Sequence, residues 1–343
     1  MIKLLIYVAI VLLIITVAQL VRVFELAAEL KGSKNNEVNY KDHRNQGRMM
    51  FLFLIAFMLF ALWQCMKYKD SLLPMAASVH GVDLDWLFWF NMTLIGVVSI
   101  AVNILLFYFA YKYYSRPDMK ATYYPHNNKL ELIWTIVPAA VLAVIIILGL
   151  KMWNTITEPA SEKAIVIQLY AKQFDWTARY AGTKEDSKLG KSSYKMIDGA
   201  NALGMDTLDA EGADDIIVHN ELHVPLGKQV EFKINSRDVI HSAFMPHFRI
   251  QMNAVPGMTT SMHMTPSITT EEMRKRPEVV AQMKVINDIR AKKGEEPYEF
   301  NYVLLCNKIC GASHSNMQMN VVVDTPEQYE AWLAKQKPFL TKK

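Results

Sequence analysis

Cysteine is scarce in this chain, with three in 343 residues. That is too few for a disulfide framework of the kind that staples small secreted domains. No Cys-x2-Cys-His run occurs, which excludes a fused domain carrying c-type haem. The formal net charge is only +4 and no block of basic residues stands out. Nucleic-acid binding therefore has no support. There is no internal repeat and no low-complexity tract. The second half has no apolar run long enough to span a bilayer. The first apolar run is followed by no small-x-small cleavage site and holds no cysteine for a lipid. We read it as an uncleaved helix rather than a secretory signal.

Long apolar runs do occur in the first half, at roughly 3–22, 49–66, 86–112 and 132–152. Each is near the length of about 20 residues that crosses a hydrocarbon core. The class is thus a membrane anchor followed by an aqueous domain. Short loops rich in Lys and Arg stay on the cytoplasmic side. The 23–48 connection carries Lys31, Lys34, Lys41, Arg44 and Arg48, next to Arg22. The 113–130 connection carries Arg116, Lys120 and Lys129. Both read as cytoplasmic, which puts 67–85 and the C-terminal half outside. Three parts follow: a hairpin over 1–66, a second hairpin over 67–155, and an exterior domain over 156–343. Cys65 lies in an apolar run and reads as a buried small hydrophobe.

The exterior half alternates short β-type runs with turns. Strands are predicted at 164–170, 172–180, 214–224, 229–234, 241–248, 300–305 and 317–323. Pro225-Leu226-Gly227 marks a turn. Residues 181–213 are rich in Gly, Ser, Lys and Asp and read as a loop insertion. A second insertion is predicted over 259–299, with one helix from Thr270 to about Lys293, capped by Thr270 and ended by Gly294. A short terminal helix starts at Thr325-Pro326. The pattern is that of a β-sandwich.

The chemistry concentrates in residues 306–317, which read Cys-x3-Cys-x3-His-x2-Met, with another histidine in Asp-Val-Ile-His-Ser at 238–242. Thiolate, imidazole and thioether are soft and borderline ligands that suit copper better than magnesium or calcium. Two cysteines with two histidines exceed the needs of one mononuclear blue-copper ion. Two thiolates can bridge two coppers, with one histidine ending each. A Cys306–Cys310 disulfide and a tetrahedral zinc site are the plainer alternatives. The disulfide leaves His314 and Met317 unexplained, and zinc leaves Met317 idle. His219, His223, His247 and His263 read as ordinary polar residues and receive no metal role.

These residues carry a family resemblance. The chain resembles subunit II of cytochrome c oxidase, the subunit holding the binuclear copper centre CuA. The likeness runs from about Pro125 onward and rests on the 238–242 and 306–317 motifs, Val-Pro-Gly at 255–257, and His126-Asn127-x2-Leu130-Glu131-x2-Trp134-Thr135-x2-Pro138. It implies a cupredoxin-like sandwich behind the membrane helices. It implies that Cys306 and Cys310 bridge two coppers, that His241 and His314 are terminal ligands, and that Met317 and the Lys308 backbone carbonyl are weak ones. It implies electron relay to haem held by a separate subunit I, with oxygen reduced there and protons pumped. Glu131 matches a proton-uptake carboxylate, and equally fits a capping pattern with Asn128 as cap. Phe174 and Trp176 lie where electrons arrive. The donor is expected to be cytochrome c or a membrane-bound cytochrome complex. The expected location is a bacterial inner membrane, with the sandwich in the periplasm.

Three departures qualify the resemblance. The family's glutamate at the Lys308 position helps hold magnesium, and lysine cannot ligate that metal. The magnesium site therefore does not carry over. Phe174 stands where the family usually has tryptophan. Two helical hairpins stand where one is common, so the first is read as a docking element for an electron-supplying complex or as added packing. A copper-free quinol oxidase subunit and a membrane-anchored copper carrier are the rival functions. The intact ligand set opposes the first, and a two-thiolate site on a four-helix anchor opposes the second.

Overall fold

The computed structural model describes residues 2–30, 40–182, 188–199 and 201–339. Four of its helices are long and apolar enough to cross a membrane: α1 (Ile2–Leu30), α2 (Tyr40–Tyr68), α3 (Val79–Lys112) and α4 (Asn128–Thr157). They exceed the apolar runs because polar residues extend their ends. α2, for instance, begins nine residues before its first long apolar stretch, through Lys41, Asp42, His43 and Arg44. Lys31 and Lys34, used above to orient the chain, lie outside the described residues. Asn128 is the first residue of α4, rather than a cap outside it, and Glu131 lies in the first turn.

The chain divides into two compact units. The first holds Met1–Lys69 and Ile95–Asn127. Within it, aromatic contacts pin α2 to the second half of α3: Phe53 lies 5.6 Å from Phe107, and Phe51 5.4 Å from Tyr111. Gly47 is buried against the backbone of Ala110 and Tyr111. Cys65, read from sequence as buried, is exposed on α2. An apolar run in a membrane helix has no need of a protein partner, since lipid covers it.

The second unit holds Asp70–Leu94 and Asn128–Lys343. Its core is a sandwich of two five-stranded sheets. The strands are β1 (Ile165–Lys172), β2 (Asp175–Tyr180), β3 (Ile216–Val218), β4 (Glu221–Pro225), β5 (Val230–Ser236), β6 (His241–Met245), β7 (Ile250–Ala254), β8 (Thr260–Met264), β9 (Tyr302–Cys306) and β10 (Gln318–Asp324). One sheet runs β3-β2-β1-β5-β8 and the other β4-β10-β9-β6-β7. Period-two alternation makes the interior. β5 turns Val230, Phe232 and Ile234 inward, and β9 turns Tyr302, Leu304 and Cys306 inward. Full burial of a side chain such as Phe232 contributes roughly 1.5–3 kcal/mol.

The single strand expected at 214–224 is two. The chain breaks at His219-Asn220 and changes sheets, β3 joining one and β4 the other. β8 lies inside the stretch read as an insertion, pairing antiparallel with β5. The single helix expected from Thr270 is also two, α5 (Thr270–Arg274) and α6 (Pro277–Lys292). Thr269, not Thr270, caps α5, through a capping box with Glu272. Pro277 has no N–H to continue that helix and holds Arg276 extended, at φ −67° and ψ 134°; it then serves as the first residue of α6. Gly294 follows at φ +71°. The terminal helix is α7 (Pro326–Leu333), capped by Thr325.

The described part of the segment 188–215 has little regular structure. A buried ion pair anchors it: Arg179 Nε donates to Asp215 Oδ2 at 2.8 Å, and Gly190 N–H donates to the same oxygen at 3.1 Å. Within this unit the helix ends are tied to the sandwich. Ile156 of α4 is part of its core. Arg249 makes a two-pronged contact with Asp85 of α3, at 2.7 and 2.9 Å. Ala77 N–H donates to the His247 carbonyl at 2.7 Å.

Candidate metal centre

The site forms where β6 begins and β9 ends. β9 pairs with β6, placing Ala243 opposite Cys306. Inward alternation along β9 delivers the Cys306 thiol to the sandwich end, and the chain returns through residues 307–317 into β10. His241 opens β6 and is fully buried. Met317, just before β10, is 1% exposed, Cys306 8% and Cys310 6%. His314 is half-buried, whereas Lys308 and Ile309 project to the surface.

The donor atoms form a chain of contacts. His241 Nδ1 lies 3.6 Å from Cys306 Sγ, which lies 3.8 Å from Cys310 Sγ. Cys310 Sγ is 3.5 Å from His314 Nδ1 and 3.8 Å from Met317 Sδ. The Lys308 carbonyl oxygen stands 3.2 Å from Cys306 Sγ. All six sequence-predicted metal residues are thus brought together. Among the described residues, His241, Cys306 and Cys310 are the one group of His, Cys and acidic donors whose atoms all lie within 4.8 Å of one another. A thiol–thiol separation of 3.8 Å is far beyond the S–S bond of a disulfide, about 2.0 Å. Burial, and then the contact with Cys306, push the Cys310 thiol up to about 11, so without metal it keeps its proton.

Groups around the ligands fix their orientation. His241 Nε2 is 2.8 Å from Asp238 Oδ1. Facing a carboxylate that can only accept, Nε2 carries the hydrogen and leaves Nδ1 free for a metal. Asp238 also accepts from Val239 N–H and from Gln173 N–H, both at 2.7 Å. Burial acts to raise the Asp238 pKa, and these hydrogen bonds outweigh it, holding the carboxyl below its ordinary range. Asp238 sits in the quoted motif, three residues before His241. That spacing was the sequence signal for its role, which the motif reading passed over.

Gln173 and Phe174 form the two-residue turn between β1 and β2, joined by a cis peptide. Phe174 is half-buried and lies against Gly311, which has φ +147°. A Cβ there would meet the Phe174 ring at 2.8 Å, so the metal loop needs glycine at this point. Trp176 is fully buried, its ring 6.4 Å from that of His241. Of the two aromatics, only Phe174 reaches the surface. Glu131 is exposed in the first turn of α4. The other histidines of the sandwich have separate settings: His219 contacts Thr177 at 3.2 Å, His223 contacts Asp324 at 2.6 Å, and His263 contacts Gln229 at 3.0 Å. His247 packs edge-on against Phe300 and Tyr302.

Comparison with known proteins identifies the family. Residues 61–152 match the family model for the cytochrome c oxidase subunit II transmembrane domain, and 165–272 match that for its periplasmic domain. The second match stops before the cysteine loop, which follows the α5–α6 insertion. The chain is 29% identical over 270 residues to an alternative cytochrome c oxidase subunit 2 from Bradyrhizobium diazoefficiens, covering 78% of this chain and 84% of that one. It is 24% identical over 287 residues to cytochrome c oxidase subunit 2 of Thermostichus vulcanus, covering 77% and 78%. The corresponding subunit of Cereibacter sphaeroides is 24% identical over 280 residues, covering 78% of each. The two matched domains take in more than half of the chain, which belongs to the cytochrome c oxidase subunit II family.

Proposed function

From that membership and the donor set we propose that this subunit carries a binuclear CuA centre and is the point where electrons enter its oxidase. The observation that carries the reading is the cluster of two thiols, two imidazole nitrogens and a thioether, with neighbouring atoms 3.5–3.8 Å apart. The donor chemistry fits copper, since soft sulfur ligands flanked by imidazole favour it over hard cations. Cys306 and Cys310 would bridge, His241 and His314 would terminate, and Met317 with the Lys308 carbonyl would be the weak ligands. Bound there, a copper pair supplies one-electron exchange.

The chain's own residues supply the rest. Strands β6, β9 and β10 hold the donors on a rigid frame, which keeps reorganisation small. Buried His241 and Met317 exclude water from one side of the site. Phe174 is the aromatic at the surface and is placed to meet a donor, cytochrome c or a membrane-bound cytochrome. Trp176 supports His241 from within. Electrons then pass to haem in subunit I, where oxygen is reduced and protons are pumped. Glu131, at the start of α4, would take up protons on the cytoplasmic side. Lys308 presents no side-chain oxygen, so no magnesium is assigned to it. In this reading the protein sits in a bacterial inner membrane with its sandwich in the periplasm. Metal analysis of the purified full-length chain tests the proposal. Two coppers per chain, lost in Cys310→Ser, support it; one zinc per chain contradicts it.

A further inference from the structure

We propose that Gln173 is a positioning residue for the metal loop, clamping Cys310 and His241 from the opposite sheet. Two separate hydrogen bonds carry this. The Gln173 side-chain amide donates to the backbone carbonyl of Cys310. Its backbone N–H donates to Asp238 Oδ2 at 2.7 Å, and the other oxygen of that carboxylate holds His241 Nε2 at 2.8 Å. One residue of the β1–β2 turn thus reaches both the loop that carries one bridging thiol and the strand that carries a terminal imidazole.

The turn's composition points the same way. A two-residue hairpin loop ordinarily favours Asn-Gly or a glycine. Gln-Phe gives up that preference, and both side chains lie on the metal loop. The Gln173 amide is so close to Gly311 that a Cβ there would meet Nε2 at 3.0 Å. β1, β2 and their turn belong to one sheet, while the metal donors belong to the other and its loop. The clamp therefore fixes the separation of the two layers at the metal end of the sandwich. Orientation set by such outer contacts governs how firmly a site holds its metal.

The inference rests on the copper reading, and its test separates the two. Gln173→Met keeps the length of the side chain and removes the donor. Gln173→Glu keeps the shape and turns an acceptor toward the Cys310 carbonyl. Both leave the backbone N–H to Asp238 in place. In the full-length, copper-loaded chain, each variant should release copper to a chelator about fivefold faster than wild type, the scale of one lost hydrogen bond. Each should also show altered copper hyperfine splitting, which a purely structural role would not move. In the metal-free chain, amide hydrogen exchange over 306–317 should be faster in Gln173→Met, with β5 unchanged. Wild-type exchange in that segment overturns the clamp whatever the metal does. Faster exchange with wild-type copper release and splitting also overturns it, because the loop would then be tethered without being positioned. Failure of the copper reading itself shows differently, as a wild-type chain with no two-copper signal.

Discussion

Asp238 Oδ1 stands 2.8 Å from His241 Nε2, and on the far side of the same imidazole Nδ1 stands 3.6 Å from Cys306 Sγ. The carboxylate selects the tautomer, and the tautomer decides which nitrogen can bind metal.

Removing that carboxylate should therefore weaken the site without removing any ligand. Asp238→Ala is expected to lower copper affinity about 10- to 100-fold, the range for losing such an outer partner. Asp238→Asn, which still offers an oxygen to Nε2–H, should lose less. Competition titrations with a calibrated chelator check both. Equal losses in the two variants would show that the carboxylate acts only through its charge.

His247 gives the sandwich an acid limb. Burial, and then the nearby Arg249, lower its pKa from 6.5 to about 4. Its Nδ1 is buried without a hydrogen-bond partner. The unfolded chain binds this proton near pH 6.5 and the folded chain only near 4. Between those values the unfolded state holds more protons, so stability falls as pH falls. The loss is up to about 3 kcal/mol, complete below pH 4. His247→Phe should flatten this limb. Denaturant midpoints at pH 7 and pH 5 measure it, and equal slopes in wild type and variant would refute the assignment.

Glu131 is separable from the copper chemistry. Glu131→Gln should slow oxygen reduction by the assembled oxidase on the order of tenfold or more, the scale of losing a positioned proton carrier. Copper content should not change. Unaltered turnover would leave Glu131 as a residue of the first turn of α4 and nothing more.

The candidate donors were legible because five of the six lie within 306–317 and because alternation along β9 turns Cys306 inward. The four membrane helices were legible as apolar runs, though not their polar ends. β8 was missed because Thr260-Ser261-Met262-His263-Met264 alternates only weakly in polarity and lies inside the stretch read as an insertion. The break at Pro277 was written in the sequence, and a continuous helical pattern on both sides masked it. Gln173 carried no signal at all. It touches a residue 137 positions away, and only the sheet pairing brings the two together.

Electron paramagnetic resonance of the copper-loaded full-length chain tests the central claim most directly. One unpaired electron shared over two bridged coppers is split by both nuclei, and that signal should appear in wild type and vanish in Cys310→Ser. A spectrum split by a single copper nucleus would contradict the binuclear site.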